Sequence, residues 1–271
     1  MSTRSITRSL VAALTVVMLL AAGCGDDDTA SADETTQSDD TTTTETASET
    51  TEAEATETTG AESTETTEAE ATVPSFDGEL LGLFAADPAE CSVAGEESGS
   101  FFRMVQAGGT LEEGPYIPNG DSTCADQTFT PLAPGTEGGL LTGVLQPGAE
   151  PLFDEAGNAT SDRIVQPTTF FGVAFAMATT DEADPPSIVA ADGALSGDIA
   201  AAAAYYATET FNQGSPKPDG SAPGLTTPGP SGTIDAETGA YELDWVSQIV
   251  GGAFNDFSGV WHLEGTFTPE G

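Results

Sequence analysis

Near the end of the sequence, "YELDW" sets Glu242 and Asp244 two residues apart, and "VWHLEG" does the same for His262 and Glu264, around the single histidine of the chain. In extended backbone, residues i and i+2 share a face. Each pair therefore presents its polar groups on one side of a strand. A carboxylate beside an imidazole can orient it as a general base, and two carboxylates about 5 Å or about 6.5–9.5 Å apart can run glycoside hydrolysis. A Ser-His-Asp arrangement also needs a nucleophile beside its histidine, and neither G-x-S-x-G nor S-x-x-K occurs. With 45 acidic residues in 271, carboxylate pairs also arise by number alone. Glu242, Asp244 and Glu264 are the candidates for a hydrolytic pair against a solvated strand face, and a hydrogen-bonded surface imidazole is the simpler account of His262.

The other polar constellations are ionic. Calcium wants several oxygen ligands, and "FDEAGNATSD" offers Asp154, Glu155, Asn158 and Asp162, while "TTDEAD" offers Asp181, Glu182 and Asp184. Neither has the EF-hand spacing, and solvent-exposed acidic turns account for both equally. One histidine and an expected disulfide leave no zinc set of several His and Cys ligands. The phosphate loop and the dinucleotide fingerprint are both missing. Tyr241, Trp245 and Trp261 could make a stacking platform for sugars, though their spacing also suits an inward, core-packed face. Phe254 and Phe257, in "IVGGAFNDFSG", could form a binding rim.

Charge removes whole classes of partner. The formal charge is -40, and Arg4, Arg8, Arg103, Arg163 and Lys217 are the only Lys and Arg residues. Binding a phosphate backbone needs clustered cations. Nucleic acid and direct attraction to anionic lipid are thereby excluded.

Arg4 and Arg8 precede an apolar run of about 13 residues, 10–22, the length of a signal-peptide core and too short for a membrane span of about 20. The stretch "LLAAGC" then ends on Cys24, and it resembles the lipobox of bacterial lipoproteins, with Ala21 standing where Leu is commonest. The resemblance implies cleavage before Cys24, lipid on its sulfur, and a mature chain anchored to the membrane on the extracytoplasmic side. The alternative is ordinary secretion with Cys24 an incidental thiol. Lipidation of Cys24 would leave Cys91 and Cys124 as an even pair, for which a disulfide is the default in an oxidising compartment. The mature chain would keep three cations against 45 acids, a charge of about -42.

Residues 24–74 are a Thr/Glu-rich acidic tether without aromatic residues, Lys or Arg, in which "TTEAEAT" occurs twice. So little apolar surface cannot offset chain entropy, so the segment reads as disordered, and its Thr density suits O-glycosylation. The folded part, residues 75–271, shows period-2 patterns between Gly and Pro punctuation. "SFFRMVQ" alternates Phe102 and Met104 against Phe101, Arg103 and Val105. "TFFGVAFAMAT" reads as one central strand, with Phe171, Val173, Phe175 and Met177 on one face and small residues and Phe170 on the other. "GTIDAETGAYELDWVSQIV" reads as a strand, a turn over residues 235–239 and a second strand facing Tyr241, Leu243 and Trp245 one way. "GVWHLEGTF" continues the meander. "ALSGDIAAAAAYYATETF" reads as a strand leading into a short helix or irregular turn, because alanine favours helix while Tyr and Thr favour strand. Residues 212–232 read as a long irregular loop, either a flexible excursion or a functional surface.

The stretches "FNQGSPKPDG", "GTIDAETGAYELDW" and "GGAFNDFSGVWHLEG" resemble uncharacterised secreted or surface-anchored bacterial β-domain proteins over about the last 75 residues. This implies an all-β domain in an extracytoplasmic setting and carries no site residues. The expected organisation is a signal peptide over 1–23, the tether over 24–74, and one antiparallel β-sandwich-like domain over 75–271 stapled by Cys91 and Cys124. The expected role is noncatalytic surface binding or an envelope structural part, with a glycan or protein as ligand; the alternative is a secreted carboxylate-dependent glycan hydrolase. Calcium is the one ion kept in view as a cofactor.

Overall fold

The computed structural model describes residues 75–92, 97–217 and 229–270; the expected signal peptide, Cys24 and the tether lie outside them. The early strands are β1 (Gly78–Leu80), β2 (Gly82–Ala86), β3 (Glu90–Cys91), β4 (Glu97–Ser98), β5 (Phe101–Thr110) and β6 (Gly114–Tyr116). Next come β7 (Thr130–Pro131), β8 (Gly139–Leu141), β9 (Val165–Phe170), β10 (Val173–Thr179), β11 (Ser187–Ala191) and β12 (Ala194–Asp198). The last are β13 (Ala202–Tyr206), β14 (Glu209–Asn212), β15 (Ser231–Ile234), β16 (Ala240–Gln248) and β17 (Ser258–Pro269), with one 3-10 turn at Gly252–Phe254. The fold is all-β, and every strand pair is antiparallel. Among the described residues, no helix is long and apolar enough to cross a membrane.

Strand β17 organises the larger, 11-stranded sheet. One edge pairs with β16 along nine residues, while the other is shared: its first half pairs with β5 and its second half with β2. The change of partner falls at Gly265, where a Cβ would stand 1.8 Å from the Ala85 carbonyl oxygen. Only glycine lets β2 come in at that point. The inward residues Trp261, Leu263 and Phe267 of β17 are buried, as are Tyr241, Leu243 and Trp245 of β16. Both strands thus follow the period-2 reading, and the Asp235 carboxylate ties the turn between β15 and β16 by accepting from the Glu237 and Thr238 amides.

A second sheet, β14-β13-β10-β9, faces the first across one core. Phe102 of β5 meets Phe175 of β10 at 5.3 Å and Phe170 of β9 at 5.8 Å between ring centroids. This is the packing of a β-sandwich. "TFFGVAFAMAT" forms a hairpin here, and the expectation of one continuous strand is corrected: Phe171 and Gly172 take positive φ at its tip, 50° and 76°. Phe171 is left 51% exposed there. Beyond the tip the alternation holds, with Phe175 and Met177 in the main core and Ala176 and Ala178 in a smaller cluster behind the sheet.

The alanine run also departs from its sequence reading. It forms β13, between β10 and β14; β12 leads into a turn at 200–201 and β13 into one at Ala207 and Thr208, both residues at positive φ, and no helix forms in this stretch. Ala202 and Ala204 face the main core, while Ala203 and Tyr205 face the cluster with Ala159, Leu152 and Phe153. Burial on both faces decides this segment. Small side chains let two layers close on one strand, and tertiary packing overrides alanine's helix propensity.

Residues 213–217 of the expected long loop are packed inward, with Gln213, Ser215 and Lys217 buried. The Gln213 carbonyl accepts from Trp245 Nε1 at 2.9 Å, its side-chain oxygen accepts from Trp261 Nε1 at 3.2 Å, and the Gly214 carbonyl accepts from Ser247 Oγ at 2.8 Å. The loop's first turn thereby satisfies both indole N–H groups of the core.

Candidate functional site

The outward residues of β16 and β17 meet as register predicts: Glu242 opposite Glu264, Asp244 opposite His262, and Val246 opposite Val260. Strand β5 adds Phe101 beside His262 and Arg103 beside Val260. The three sequence-nominated carboxylates and the histidine are therefore neighbours on one face, beside a cleft of about 290 Å³. Glu97, Arg103, Phe129, Asp244 and His262 supply its chemically distinctive walls.

His262 Nδ1 lies 2.8 Å from Asp244 Oδ1, while Nε2 stands 3.9 Å from Glu264 Oε2, too far for a hydrogen bond. The hydrogen bond to Asp244 raises the imidazole above its usual pKa of 6.5; burial opposes this, and the charges of Asp244, Glu242 and Glu264 add to it. Arg103 carries the balancing charge from β5, and Glu97 faces the same cleft from β4. Glu264 has a structural partner of its own, accepting from the Gly99 amide at 2.8 Å.

Arg103 is held as rigidly as a cation can be on a sheet. Its guanidinium carbon sits 3.5 Å from the Tyr116 ring centroid and 4.2 Å from that of Phe129, and Nη2 donates to Thr128 Oγ1 at 3.0 Å. Two cation–π contacts replace part of the hydration it loses. Its Nε is nevertheless buried without a partner, as is Glu97 Oε1 in the opposite wall. An orphaned donor and an orphaned acceptor each cost about 1–3 kcal/mol. Each such group calls for an explanation.

Cys91 and Cys124 brace this cleft. Their Cα atoms are 5.0 Å apart, within the range for a disulfide. Cys91 is the cross-strand partner of Glu97, and Cys124 belongs to the loop that also delivers Phe129. The sequence offered the bond as a staple for the fold; its placement also fixes one wall of the cleft against another.

The remaining nominated residues go elsewhere. Asp154 Oδ1 accepts from the Ala156 and Asn158 amides at 2.8 and 2.9 Å, and Asn158 Oδ1 accepts from the Ala174 amide at 3.0 Å, so both side chains hold a turn. The bonds from Asn158 keep the Asp154 carboxyl below its ordinary pKa. Glu155 is exposed, and Asp162 accepts from Thr136 Oγ1 in another loop. Glu182 and Asp184 line a separate cleft of about 270 Å³ with Asp198 and Lys217, and Asp181 is exposed nearby. Among the described residues, no group of three or more His, Cys, Asp or Glu could hold a metal ion. Tyr241, Trp245 and Trp261 are 3%, 2% and 0% exposed, which makes them core and leaves no sugar platform there. Phe254 and Phe257 pack against the core half-buried, with Phe171 stacked on Phe254 at 6.1 Å.

Sequence reading missed Arg103, Glu97, Phe129 and Tyr116. One signal was present: Arg103 is one of the five Lys and Arg residues in the chain, and it lies inside an apolar strand. A cation so placed in an acidic protein needs a partner.

The charge arrangement makes stability depend on pH. Because the folded His262 pKa is raised, its contribution is present in full below pH 6.5 and disappears as pH climbs through the higher folded value. The urea midpoint is therefore expected to fall across that window, and Asp244→Asn to flatten the fall. A wild-type profile that stays level between about pH 6 and 9 would contradict this assignment.

No family model, no curated protein and no solved structure matches this chain.

Proposed function

We propose that this protein is a lipid-anchored extracytoplasmic binding module: Cys24 carries the lipid, residues 24–74 are the acidic tether, and the β-domain presents the cleft beside His262. The observation that carries this reading is the convergence, on a disulfide-braced wall, of a ring-clamped Arg103 and an Asp244-oriented His262 with two orphaned polar atoms. Preorganised polar groups on rigid strands suit recognition, since little ordering cost remains on binding.

Binding is favoured over nucleophilic cleavage by what His262 does not touch. His262 is hydrogen-bonded to Asp244 through Nδ1, no hydroxyl or thiol among the described residues is hydrogen-bonded to it, and Glu264 is held by the Gly99 amide. A nucleophile–base pair needs a hydroxyl or thiol within hydrogen-bond reach of the imidazole.

The anchoring half is tested on the full chain by detergent phase partitioning in a lipoprotein-processing bacterium. The wild type is expected in the detergent phase and Cys24→Ser in the aqueous phase, with intact mass placing the lipid on Cys24. Equal partitioning of the two would overturn the anchor.

A further inference from the structure

We propose that the cleft beside His262 takes a neutral, hydroxyl-rich ligand, the chemistry of a saccharide unit, held between the carboxylates of Glu97 and Asp244, the Arg103 guanidinium and the His262 imidazole. This rests on the binding reading above and specifies its ligand.

Size comes first. At about 290 Å³ the cleft lies just below the usual range of ligand pockets, about 300–1,000 Å³, which suits one compact unit. Charge narrows the choice. Glu97 and Asp244 line the cleft with Glu264 at its edge, while Arg103 and His262 face them, so the wall carries both signs at close range. A free anion meets those carboxylates and a chain of formal charge -40. A free cation meets Arg103 and the imidazole, and finds no three-ligand set among the described residues.

A hydroxyl group suits both signs because it donates and accepts at once. The two unsatisfied atoms in the walls are one donor, Arg103 Nε, and one acceptor, Glu97 Oε1. Both are closed off from the cleft as it stands, so the ligand is met by the other polar atoms of these side chains and by Asp244 and His262. An apolar chain would leave those groups unpaired, at a cost a polar ligand avoids. Phe129, half-buried on the same wall, offers ring surface to the C–H face that a sugar ring presents.

The single histidine makes the test a one-site measurement, because the chain gives one imidazole signal. The full chain in detergent micelles is titrated, watching the His262 imidazole by NMR, with separate additions of neutral mono- and disaccharides, glucuronate, glucosamine and calcium chloride at matched ionic strength. Expected is a saturable shift with at least one neutral saccharide, weakened at least about tenfold by Glu97→Gln or Arg103→Gln in protein that keeps its circular dichroism. The distant Asp192→Asn serves as the unchanged control. If Arg103→Gln does not fold, Glu97→Gln alone carries the comparison. A neutral-sugar shift that survives both variants overturns the location. A shift with only glucuronate, glucosamine or calcium overturns the ligand class and leaves the cleft a binding site. No shift from any addition overturns both readings, and release of reducing ends during the titration overturns the noncatalytic one.

Discussion

Trp261→Ala is expected to lower the unfolding free energy by about 4 kcal/mol, within the 3–5 kcal/mol that removal of a buried Trp or Phe side chain costs. Trp261 is 0% exposed. Its ring meets Phe102 at 4.6 Å, stacks on Trp245 at 5.9 Å with 9° between planes, and reaches Phe175 of the opposite sheet at 6.2 Å. Removing it opens a cavity between the two sheets at the strand both halves of the larger sheet depend on. It also strips the Gln213 side-chain oxygen of its indole donor. Trp261→Phe keeps most of the ring volume and should cost about 1–2 kcal/mol, closer to the lost hydrogen bond alone. Urea unfolding at fixed pH separates the two. A loss under about 1 kcal/mol for the alanine variant would mean that the indole is not core, and would return Trp261 to the list of surface platforms.

Breaking the Cys91–Cys124 bond is expected to cost about 3.5–4 kcal/mol in the chain-entropy model, given a sequence separation of 33 residues. At about 2–4 °C per kcal/mol for a domain of this size, the thermal midpoint falls by about 7–16 °C. The double variant Cys91→Ser/Cys124→Ser reads this without reductant. The cleft should loosen as well, because the bond ties the Glu97 hairpin to the loop bearing Phe129, so the Arg103 clamp relaxes with it. Intact mass after alkylation gives the covalent check. Two added alkyl groups on unreduced protein would show free thiols and defeat the staple.

The outward face of β16 and β17 was legible because strand period and turn chemistry are local. "DAETG" closes the turn that sets the register of β15 on β16, and the short connection over residues 249–257 brings β17 back antiparallel, so that Asp244 meets His262 and Glu242 meets Glu264. The inward face was legible in the same way, and burial chose core over platform for Tyr241, Trp245 and Trp261. Hidden from the sequence were the contributions to the cleft from far along the chain. Arg103 reaches His262's neighbourhood only because β5 takes the first half of β17's free edge, a pairing that spans more than 150 residues of sequence. No local pattern encodes that.

What the sequence by itself determined is the alternation, the turns, the acidic charge and the all-β class, since each follows from residue type and spacing over a few positions. Only the tertiary structure decided that the alanine run is a strand, that "TFFGVAFAMAT" folds back at Phe171, that residues 213–217 cap the tryptophans, and that one arginine, one histidine and their carboxylates share a cleft. The reason is the same in each case. Burial on two faces, indole N–H groups in need of acceptors and a partly buried cation in need of partners are conditions set by neighbours distant in sequence, and those neighbours are assigned when the sheets close on one core.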